Sequence, residues 1–251
     1  MSGEPVAALA VSGIAKSYGG PLVLSDVNLS VCPDELLGVI GPNGSGKTTL
    51  FGIIAGQLKP NAGTVRLAGE DVTRLSAAQR ARKGVGRTFQ VPQSFGDMTV
   101  FENVLVGASF AGGLAGADAD DFAMDIVERM GFRGRDQILA GTLPLLDRKR
   151  LEVARALATR PELLLLDEIA GGLTDDEAHE IAGAVSNLRG TGMAVIWIEH
   201  LVHILTGAVD RIVVLGEGRI IADGEPHATM AVPAVRQLYL GLEPDENAVG
   251  S

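Results

Sequence analysis

Leu-Leu-Gly-Val-Ile-Gly-Pro-Asn-Gly-Ser-Gly-Lys-Thr-Thr, at residues 36–49, is the stretch that decides the fold. Its first five residues form a short apolar run that ends in a glycine-rich turn, which is typical of a buried strand. Apolar residues recur on one side of the segment that Lys47 opens, so we predict a helix there. The pattern G-x-x-x-x-G-K-T therefore lies between a strand and a helix, which is the context that a phosphate-binding loop requires.

The chemistry of this loop follows from its backbone. Its N–H groups point at phosphate oxygens, and the helix N-terminus adds positive partial charge. We predict that Lys47 reaches the β- and γ-phosphates and that the Thr48 hydroxyl holds Mg²⁺. A glycine-rich turn with a surface lysine is the alternative, but it does not explain why eight motif positions agree. The predicted nucleotide-binding residues of the loop are Gly41, Pro42, Asn43, Gly44, Ser45, Gly46, Lys47, Thr48 and Thr49.

Composition excludes several classes of protein. The 251 residues carry a net charge of −10, which argues against a broad nucleic-acid surface and a polybasic membrane anchor. No apolar run reaches the roughly 18 residues that span a bilayer, and no Lys or Arg precedes an apolar stretch at the N-terminus. The single Cys32 has no internal disulfide partner, as in a reducing compartment. We expect a cytoplasmic protein that binds no nucleic acid.

Hydrophobic periodicity predicts a chain in which strands alternate with helices. Residues 100–159 differ, because strand signals vanish there and helical signals dominate. Strand patterns cover residues 9–18, 27–31, 64–67, 85–90, 163–166 and 194–198, and a hairpin covers 212–215 and 219–222. Helical patterns cover residues 76–82, 100–108, 123–130, 145–159, 175–188 and 232–240, and we expect a solvated acidic loop at 111–121.

Buried apolar strands that alternate with helices indicate an α/β fold with a mostly parallel sheet. We predict one domain over residues 1–251. Its core and β subdomain are residues 1–90 and 160–251, and residues 91–159 form the helical subdomain with the loop that leads into it.

Polar residues at strand ends complete a candidate catalytic set. Asp167 ends the apolar strand that follows the helical insert, where a second Mg²⁺ ligand of a P-loop NTPase belongs. Glu168 follows, and its carboxylate would polarise an attacking water as a general base. Gln90 offers a carbonyl oxygen to Mg²⁺, His200 a hydrogen bond to the γ-phosphate, and Tyr18 a ring that stacks on adenine. For Asp167 and Glu168 the alternative is an acidic strand end that meets solvent. Gln90 is alternatively a polar loop residue, His200 a structural histidine and Tyr18 a rim aromatic.

Two other nucleotide-binding classes fit poorly. The chain has no Asn-Lys-x-Asp for guanine, and no Asp-x-x-Gly follows the strand at 163–166, which argues against a GTPase. A small-molecule kinase has no need of the helical lobe together with the Gln, Asp-Glu and His series.

With these motifs the chain resembles the ATP-binding subunit of an ABC transporter over nearly its whole length. The resemblance implies the P-loop ABC ATPase fold, with an antiparallel β subdomain and a helical subdomain, and ATP and Mg²⁺ as cofactors. It makes Glu168, His200 and Lys47 the catalytic residues, and Thr48, Gln90 and Asp167 the metal ligands. The matching segments are Tyr18 (aromatic loop), residues 41–48 (Walker A), Gln90 (Q-loop), residues 163–167 (Walker B), Glu168 (catalytic Glu) and His200 (switch His).

More narrowly, the chain is similar to the ATPases of branched-chain (hydrophobic) amino acid importers. The resemblance implies a second ATP-binding subunit that clamps two ATPs at the shared interface, two transmembrane permease subunits, and indirectly a solute-binding protein. It places the chain at the inner face of the cell membrane, held through the permease subunits, which residues 91–104 would touch. The segments that carry this similarity are residues 86–90, 98–104, 150–158, 198–200 and 239–241.

One segment departs from the family. Where the signature Leu-Ser-Gly-Gly-Gln is expected, residues 143–147 read Leu-Pro-Leu-Leu-Asp. Pro144 has neither a hydroxyl nor an N–H for the γ-phosphate of the partner's ATP, although Pro here and an acidic residue at the Gln position resemble variants that the subfamily sometimes uses. Leu146 would crowd a backbone that approaches phosphate closely, and we expect Asp147 to add repulsion. The alternative is that Pro144 only starts a helix and the two leucines are core.

Two smaller departures follow Glu168. Ile169 stands where the family usually has Pro, and Thr174 stands where it usually has Asp or Asn, although Thr174 still caps the helix that begins at Asp175. The departures suggest an asymmetric pair of subunits in which this chain's own Walker site is competent. A regulatory subunit that hydrolyses little and a soluble ABC ATPase without transport function are the two alternatives.

Overall fold

The strands form two sheets in the computed structural model, which describes residues 6–240. Every strand predicted from periodicity is present, although several boundaries differ. The strands are β1 (Leu9–Ser17), β2 (Leu22–Val31), β3 (Leu36–Ile40), β4 (Ala62–Leu67), β5 (Glu70–Asp71), β6 (Val85–Arg87), β7 (Leu163–Asp167), β8 (Ala194–Ile198), β9 (Arg211–Gly216) and β10 (Arg219–Gly224).

The larger sheet has six strands in the order β10-β9-β3-β8-β7-β6. All neighbours are parallel except β10, which pairs antiparallel with β9. Strands β3, β7 and β8 are buried along their whole length, as expected for a parallel sheet with both faces covered. The mostly parallel core is therefore confirmed.

The smaller sheet has four strands in the order β2-β1-β4-β5, all antiparallel. A hairpin joins β4 to β5, and Ala68 and Gly69 make its turn. Both have positive φ (45° and 84°), while Glu70 and Asp71 already pair with β4. The antiparallel β subdomain is confirmed.

Helices cover the remaining surfaces of the large sheet. A π-helical segment, Gly107–Ala111, continues the third helix, and a 3-10 turn spans Ala140–Thr142. The α-helices are α1 (Lys47–Ile54), α2 (Ala77–Ala81), α3 (Val100–Val106), α4 (Ala117–Arg129), α5 (Leu145–Ala158), α6 (Asp175–Ser186), α7 (Val202–Ala208), α8 (Pro226–Ala231) and α9 (Pro233–Leu240).

Three expectations need correction. The acidic loop at 111–121 is only half loop, because α4 begins at Ala117, and Asp118 and Asp120 in its first turn favour the helix dipole. The strand at 85–90 ends at Arg87, so the residues up to Gln90 lie in a loop. Helices α7 and α8 were not predicted, although Glu225 before Pro226 is a typical helix start. Gly241 of the predicted segment 239–241 lies outside the described residues.

The two faces of the six-stranded sheet belong to two hydrophobic clusters. One cluster joins the large sheet to α1 and to the small sheet, through residues such as Phe51, Leu165 and Val65. The other joins the opposite face of the sheet to helices α3 to α7, through residues such as Leu164 and Val104. The helices of the segment 91–159 therefore share their core with the sheet, and the division of the chain at residues 91 and 159 stays a prediction.

Arg80 fixes the far end of the phosphate-loop helix α1. Its side chain is completely buried, and the guanidinium donates to the carbonyl oxygens of Ile53 (2.6 Å), Ile54 (2.7 Å) and Thr73 (3.1 Å). The carbonyls at a helix C-terminus lack intrahelical partners, so Arg80 satisfies groups that burial would otherwise penalise. Helix α2 holds Arg80 in place through a capping box between Ser76 and Gln79, as its Ser76 start predicted.

We expect Arg80→Met to lower the free energy of unfolding by about 2–4 kcal/mol, since it removes the donor to the carbonyl of Ile54 at the end of α1 and to that of Thr73. Urea unfolding followed by circular dichroism measures the change. Arg82→Met, an exposed neighbour two residues away, is the matched control and should change stability by less than about 0.5 kcal/mol. Equal losses in the two variants would contradict the role of Arg80.

Candidate nucleotide-binding and catalytic site

The phosphate loop fits tightly between β3 and α1. A Cβ on Gly41 would lie 2.1 Å from the carbonyl oxygen of Leu215 in β9, so only glycine fits there. Gly46 precedes the first residue of α1 with φ 104°, and its Cβ would lie 2.6 Å from Leu24 Cδ2. The loop's conformation is thus set by glycines and by contacts to two strands.

Lys47 lies folded into this loop. Its Nζ donates to the carbonyl oxygens of Gly41 (2.6 Å) and Pro42 (3.1 Å). An ammonium group has three donors, so one remains for a phosphate. Burial lowers the pKa of Lys47, while the nearby Glu168 and Asp167 carboxylates act in the opposite direction.

Two further observations fit a phosphate at this place. The hydroxyl of Ser45 is buried and has no hydrogen-bond partner among residues 6–240, so it is available to an incoming anion. A pocket of about 170 Å³ opens over the loop, and Glu168 stands at its rim beside the first residues of α1. The loop, the pocket and the Glu168 carboxylate therefore lie together, and their roles in binding and hydrolysis stay predictions.

Strand register brings the other candidate residues to the same edge. In the parallel sheet Asp167 lies opposite Ile198, and Arg87 lies opposite Leu165. The segments that follow β6, β7 and β8 therefore leave the sheet side by side, at the carboxyl edge where ligands of open α/β sheets bind. Gln90, Glu168 and His200 belong to these three segments.

Glu168 is held in an uncommon backbone conformation. Its φ is +48°, in the left-handed region, which costs a non-glycine residue about 1 kcal/mol or more. Its N–H donates to Ile198 O at 3.0 Å. Its carboxylate accepts a hydrogen bond from Gln90 Nε2, and Nδ1 of His200 lies 3.4 Å from Oε1. The structure thus brings together three of the predicted site residues.

Asp167 is fixed from β6. Its Oδ2 lies 2.9 Å from Arg87 Nη2, and both side chains are largely buried. Its backbone N–H donates to Thr88 Oγ1 at 3.1 Å. Arg87 and Thr88 were quoted in the sequence only as part of a longer similarity, because nothing local shows that β6 pairs beside β7.

The oxygen donors near the loop suit Mg²⁺. Hydroxyl, carboxylate and amide oxygens are the ligands that this hard cation prefers. Thr48 is exposed at the start of α1, and Asp167 is anchored by its ion pair. The side-chain nitrogen Nε2 of Gln90 donates to Glu168, which leaves the side-chain oxygen Oε1 of Gln90 for a metal or water.

Tyr18 follows directly after β1, and its ring is 61% exposed. The ammonium of Lys16 lies 5.1 Å from the ring centroid and covers one face. The exposed ring is compatible with stacking on a base, and its predicted contact with adenine stays a prediction.

The segment 143–147 forms the start of α5. Pro144 precedes the helix without a side-chain cap, and the side chain of Leu145 is 40% exposed. The expectation that Asp147 repels phosphate is wrong for this structure, because Asp147 points inward and is buried. Arg135 pairs with its carboxylate, and Arg150 lies 3.8 Å from it. The loop after Glu168 is as predicted at its end, where Thr174 caps α6 in a capping box with Glu177.

Two buried charged residues near the site escaped sequence reasoning. Lys149 on α5 donates to the carbonyl oxygens of Gln90 and Glu168. Glu199 accepts from Ala170 N at 2.6 Å, and burial raises the pKa of Glu199. Glu199 directly follows the apolar strand β8 and was quoted only within the similar segment 198–200, and Lys149 lies in a run of charged residues.

A glycine-rich loop between a parallel strand and a helix, with carboxylates at the end of a neighbouring strand, defines a P-loop nucleotide-binding ATPase. Within that class, the family model described as ABC transporter matches residues 24–171. The chain belongs to the ABC transporter family, as its ATP-binding, ATP-hydrolysing domain.

Individual proteins agree with this assignment. The high-affinity branched-chain amino acid transport ATP-binding protein LivG of Escherichia coli is 38% identical over 248 residues, covering 93% of this chain and 97% of that protein. The lipopolysaccharide export system ATP-binding protein LptB of Haemophilus influenzae is 33% identical over 233 residues, covering 93% of this chain and 97% of its own length. A solved nucleotide-free ATP-binding cassette from an ABC transporter superposes with a TM-score of 0.84 at 31% identity, covering 94% of this chain and 100% of that one. The predicted fold and family are confirmed.

We expect Glu168→Gln to lower ATP turnover at this chain's own site by about 10²–10⁴-fold, because an amide cannot accept a proton from water. Nucleotide affinity should stay within about threefold of wild type, since the loop binds the phosphates. Phosphate release and equilibrium binding of a fluorescent ATP analogue measure the two quantities. Glu162→Gln, an exposed carboxylate just before β7, is the control. Turnover that survives Glu168→Gln would exclude Glu168 as the general base.

Proposed function

We propose that this chain is the ATP-hydrolysing subunit of a membrane importer for branched-chain amino acids or a similar small solute. The observation that carries the hydrolytic part is the Glu168 carboxylate at the rim of the phosphate pocket, held by Gln90. The similarity to LivG along 93% of the chain supports the cargo class. Because LptB, which is named for lipopolysaccharide export, is also similar, the sequence of the ATP-binding domain alone does not identify the transported solute.

In this proposal each site residue has one task. The loop amides and Lys47 bind the β- and γ-phosphates, and Tyr18 stacks on adenine. Thr48, Asp167 and Gln90 hold Mg²⁺, which when bound offsets the charge that develops on the phosphates. In hydrolysis, Glu168 accepts the proton of the attacking water, and His200 donates a hydrogen bond to the γ-phosphate.

A groove beside β6 supports docking to membrane subunits. It has a volume of about 320 Å³ and lies where the sheet edge meets the helices. Phe89 and Phe95 line it and are 39% and 45% exposed, and Val91 between them is 71% exposed. Exposed apolar side chains this close together mark an interaction surface. We assign this surface to the permease subunits.

The location of the chain follows from that assignment. Across residues 6–240 no helix combines the length and hydropathy that crossing a bilayer requires. Attachment through permease subunits would hold the chain at the inner face of the membrane, and a solute-binding protein would deliver cargo on the other side.

The start of α5 supports an asymmetric pair of ATPase subunits. With Pro144 before the helix and the exposed Leu145 side chain at its first position, this surface lacks the hydroxyl and the open glycine backbone that a γ-phosphate requires. The chain's own loop and Glu168 remain complete. A partner with a better signature segment would thus complete the site on this chain, while the opposite site binds ATP and hydrolyses it slowly.

We expect a tagged Glu168→Gln chain to retain two kinds of partner when it is isolated from its native membrane in detergent with MgATP. Slowed hydrolysis should trap the closed dimer, so mass spectrometry should find multi-span membrane proteins and a second ATPase. The wild-type chain, treated identically, is the control. Recovery of soluble proteins alone, or of no partner, would contradict the importer and favour the soluble or regulatory alternative.

The asymmetry has its own test in the isolated complex. Glu168→Gln in this chain should remove most ATP turnover, about tenfold or more, whereas the matching change in the partner should cost less than half. Steady-state phosphate release measures both. Equal losses would contradict the asymmetric pair, and negligible turnover of the wild-type complex with tight ATP binding would support the regulatory alternative.

A further inference from the structure

Lys149 connects helix α5 to both segments that carry the catalytic carboxylate and its amide partner. The side chain is 4% exposed. Its Nζ donates to Gln90 O at 2.9 Å and to Glu168 O at 3.2 Å. Among these three residues only Lys149 belongs to the helical segment.

A buried ammonium group needs compensation. Burial lowers the pKa of Lys149, and the carboxylates of Glu199, Glu168, Asp167 and Glu152 act in the opposite direction. Hydrogen bonds between a charged donor and two carbonyl oxygens are also stronger than those between neutral groups. The cation is thus placed where its removal would disturb both carbonyls at once.

The carbonyl of Glu168 is the sensitive one. Glu168 has a φ of +48°, so its peptide geometry depends on contacts that hold it there. Its carbonyl oxygen accepts from Lys149 and from Gly171 N at 3.2 Å. The Lys149 ammonium also fixes the backbone of Gln90, whose side-chain amide meets the Glu168 carboxylate. The Lys149 ammonium therefore holds the backbone of both residues, Gln90 and Glu168, whose side chains meet.

We propose that Lys149 is a positioning residue for hydrolysis, and that it makes the alignment of Glu168 with Gln90 depend on where α5 lies. This inference rests on the proposed function. The start of α5 carries the segment 143–147, which faces the partner subunit in that proposal. A displacement of α5 on dimer closure would then reach this chain's own carboxylate through a single side chain.

The single tryptophan of the chain reports on this place. Trp197 is fully buried, and its Nε1 lies 3.3 Å from Glu199 Oε1, which also accepts from Ala170 N in the turn after Glu168. Glu199 Oε2 has no partner within residues 6–240. The Glu199 carboxylate acts to raise the pKa of Lys149, against the effect of burial. Loss of the ammonium should therefore change Trp197 emission.

The test compares Lys149→Met and Lys149→Arg, each in the assembled complex and in the isolated chain. We expect Lys149→Met to lower turnover about ten- to a hundredfold while ATP affinity, measured in EDTA, stays within about threefold. Tryptophan emission of the isolated chain should shift as well. Lys149→Arg should recover most of both signals, because a guanidinium also donates to carbonyls. Lys83→Met, an exposed lysine paired with Glu70, is the matched control.

A double-mutant cycle separates positioning from general destabilisation. If Lys149 acts through Gln90, combining Lys149→Met with Gln90→Ala should lower turnover by much less than the product of the single effects. Wild-type turnover or unchanged emission in Lys149→Met would overturn the inference. So would independent losses in the cycle, or a turnover loss that only matches a fall in thermal stability.

The two proposals fail in different ways. A wild-type complex that binds ATP without hydrolysing it would contradict the proposed function. In that case the isolated chain still tests whether Lys149 positions Glu168, because tryptophan emission requires neither a partner subunit nor ATP turnover. Unchanged emission there, with normal turnover in the complex, would overturn the role of Lys149 alone.

Discussion

Backbone pairing between β7 and its two neighbours is the constraint on which the site depends. Asp167 pairs with Ile198 on one side, and the register with β6 brings Thr88 to the N–H of Asp167 on the other. Side chains alternate between the faces of a strand, so a slip of one residue would turn Asp167 away from Arg87 and move the turn at Glu168. Every catalytic candidate that is not in the phosphate loop reaches the site through this pairing.

Local patterns predicted what local forces decide. The phosphate loop, the strand and helix on either side of it, and the Ser76 and Thr174 caps all depend on residues within a few positions of one another. Asp167 and Glu168 were placed because a buried apolar strand must end at the sheet's edge. Gln90 was proposed from its place at a strand end, and His200 rested on family resemblance. Their meeting at Glu168 required the strand order, which periodicity does not specify.

What the sequence did not reveal depends on distant partners. Asp147 was expected to face an anion, but it is buried beside Arg135, which lies twelve residues earlier in a loop and was not identifiable as its partner beforehand. Lys149 lies in a run of charged residues, 147–150, which is typical of a solvated helix face, yet it is buried against two loops. The start of α4 was missed for a simpler reason, since its acidic first turn looked like a charged loop.

The hydrophobic cluster that the sheet shares with α3 to α7 limits how the molecule moves. Close-packed side chains change partners in small steps, and a swing about an empty cleft would expose apolar surface to water. We therefore expect these helices to slide along the sheet in a shear movement of about 1–2 Å, which keeps water out of the core. Such a movement is short but occurs between discrete packing arrangements, so the ATPase would switch between distinct conformational states and would not change shape continuously.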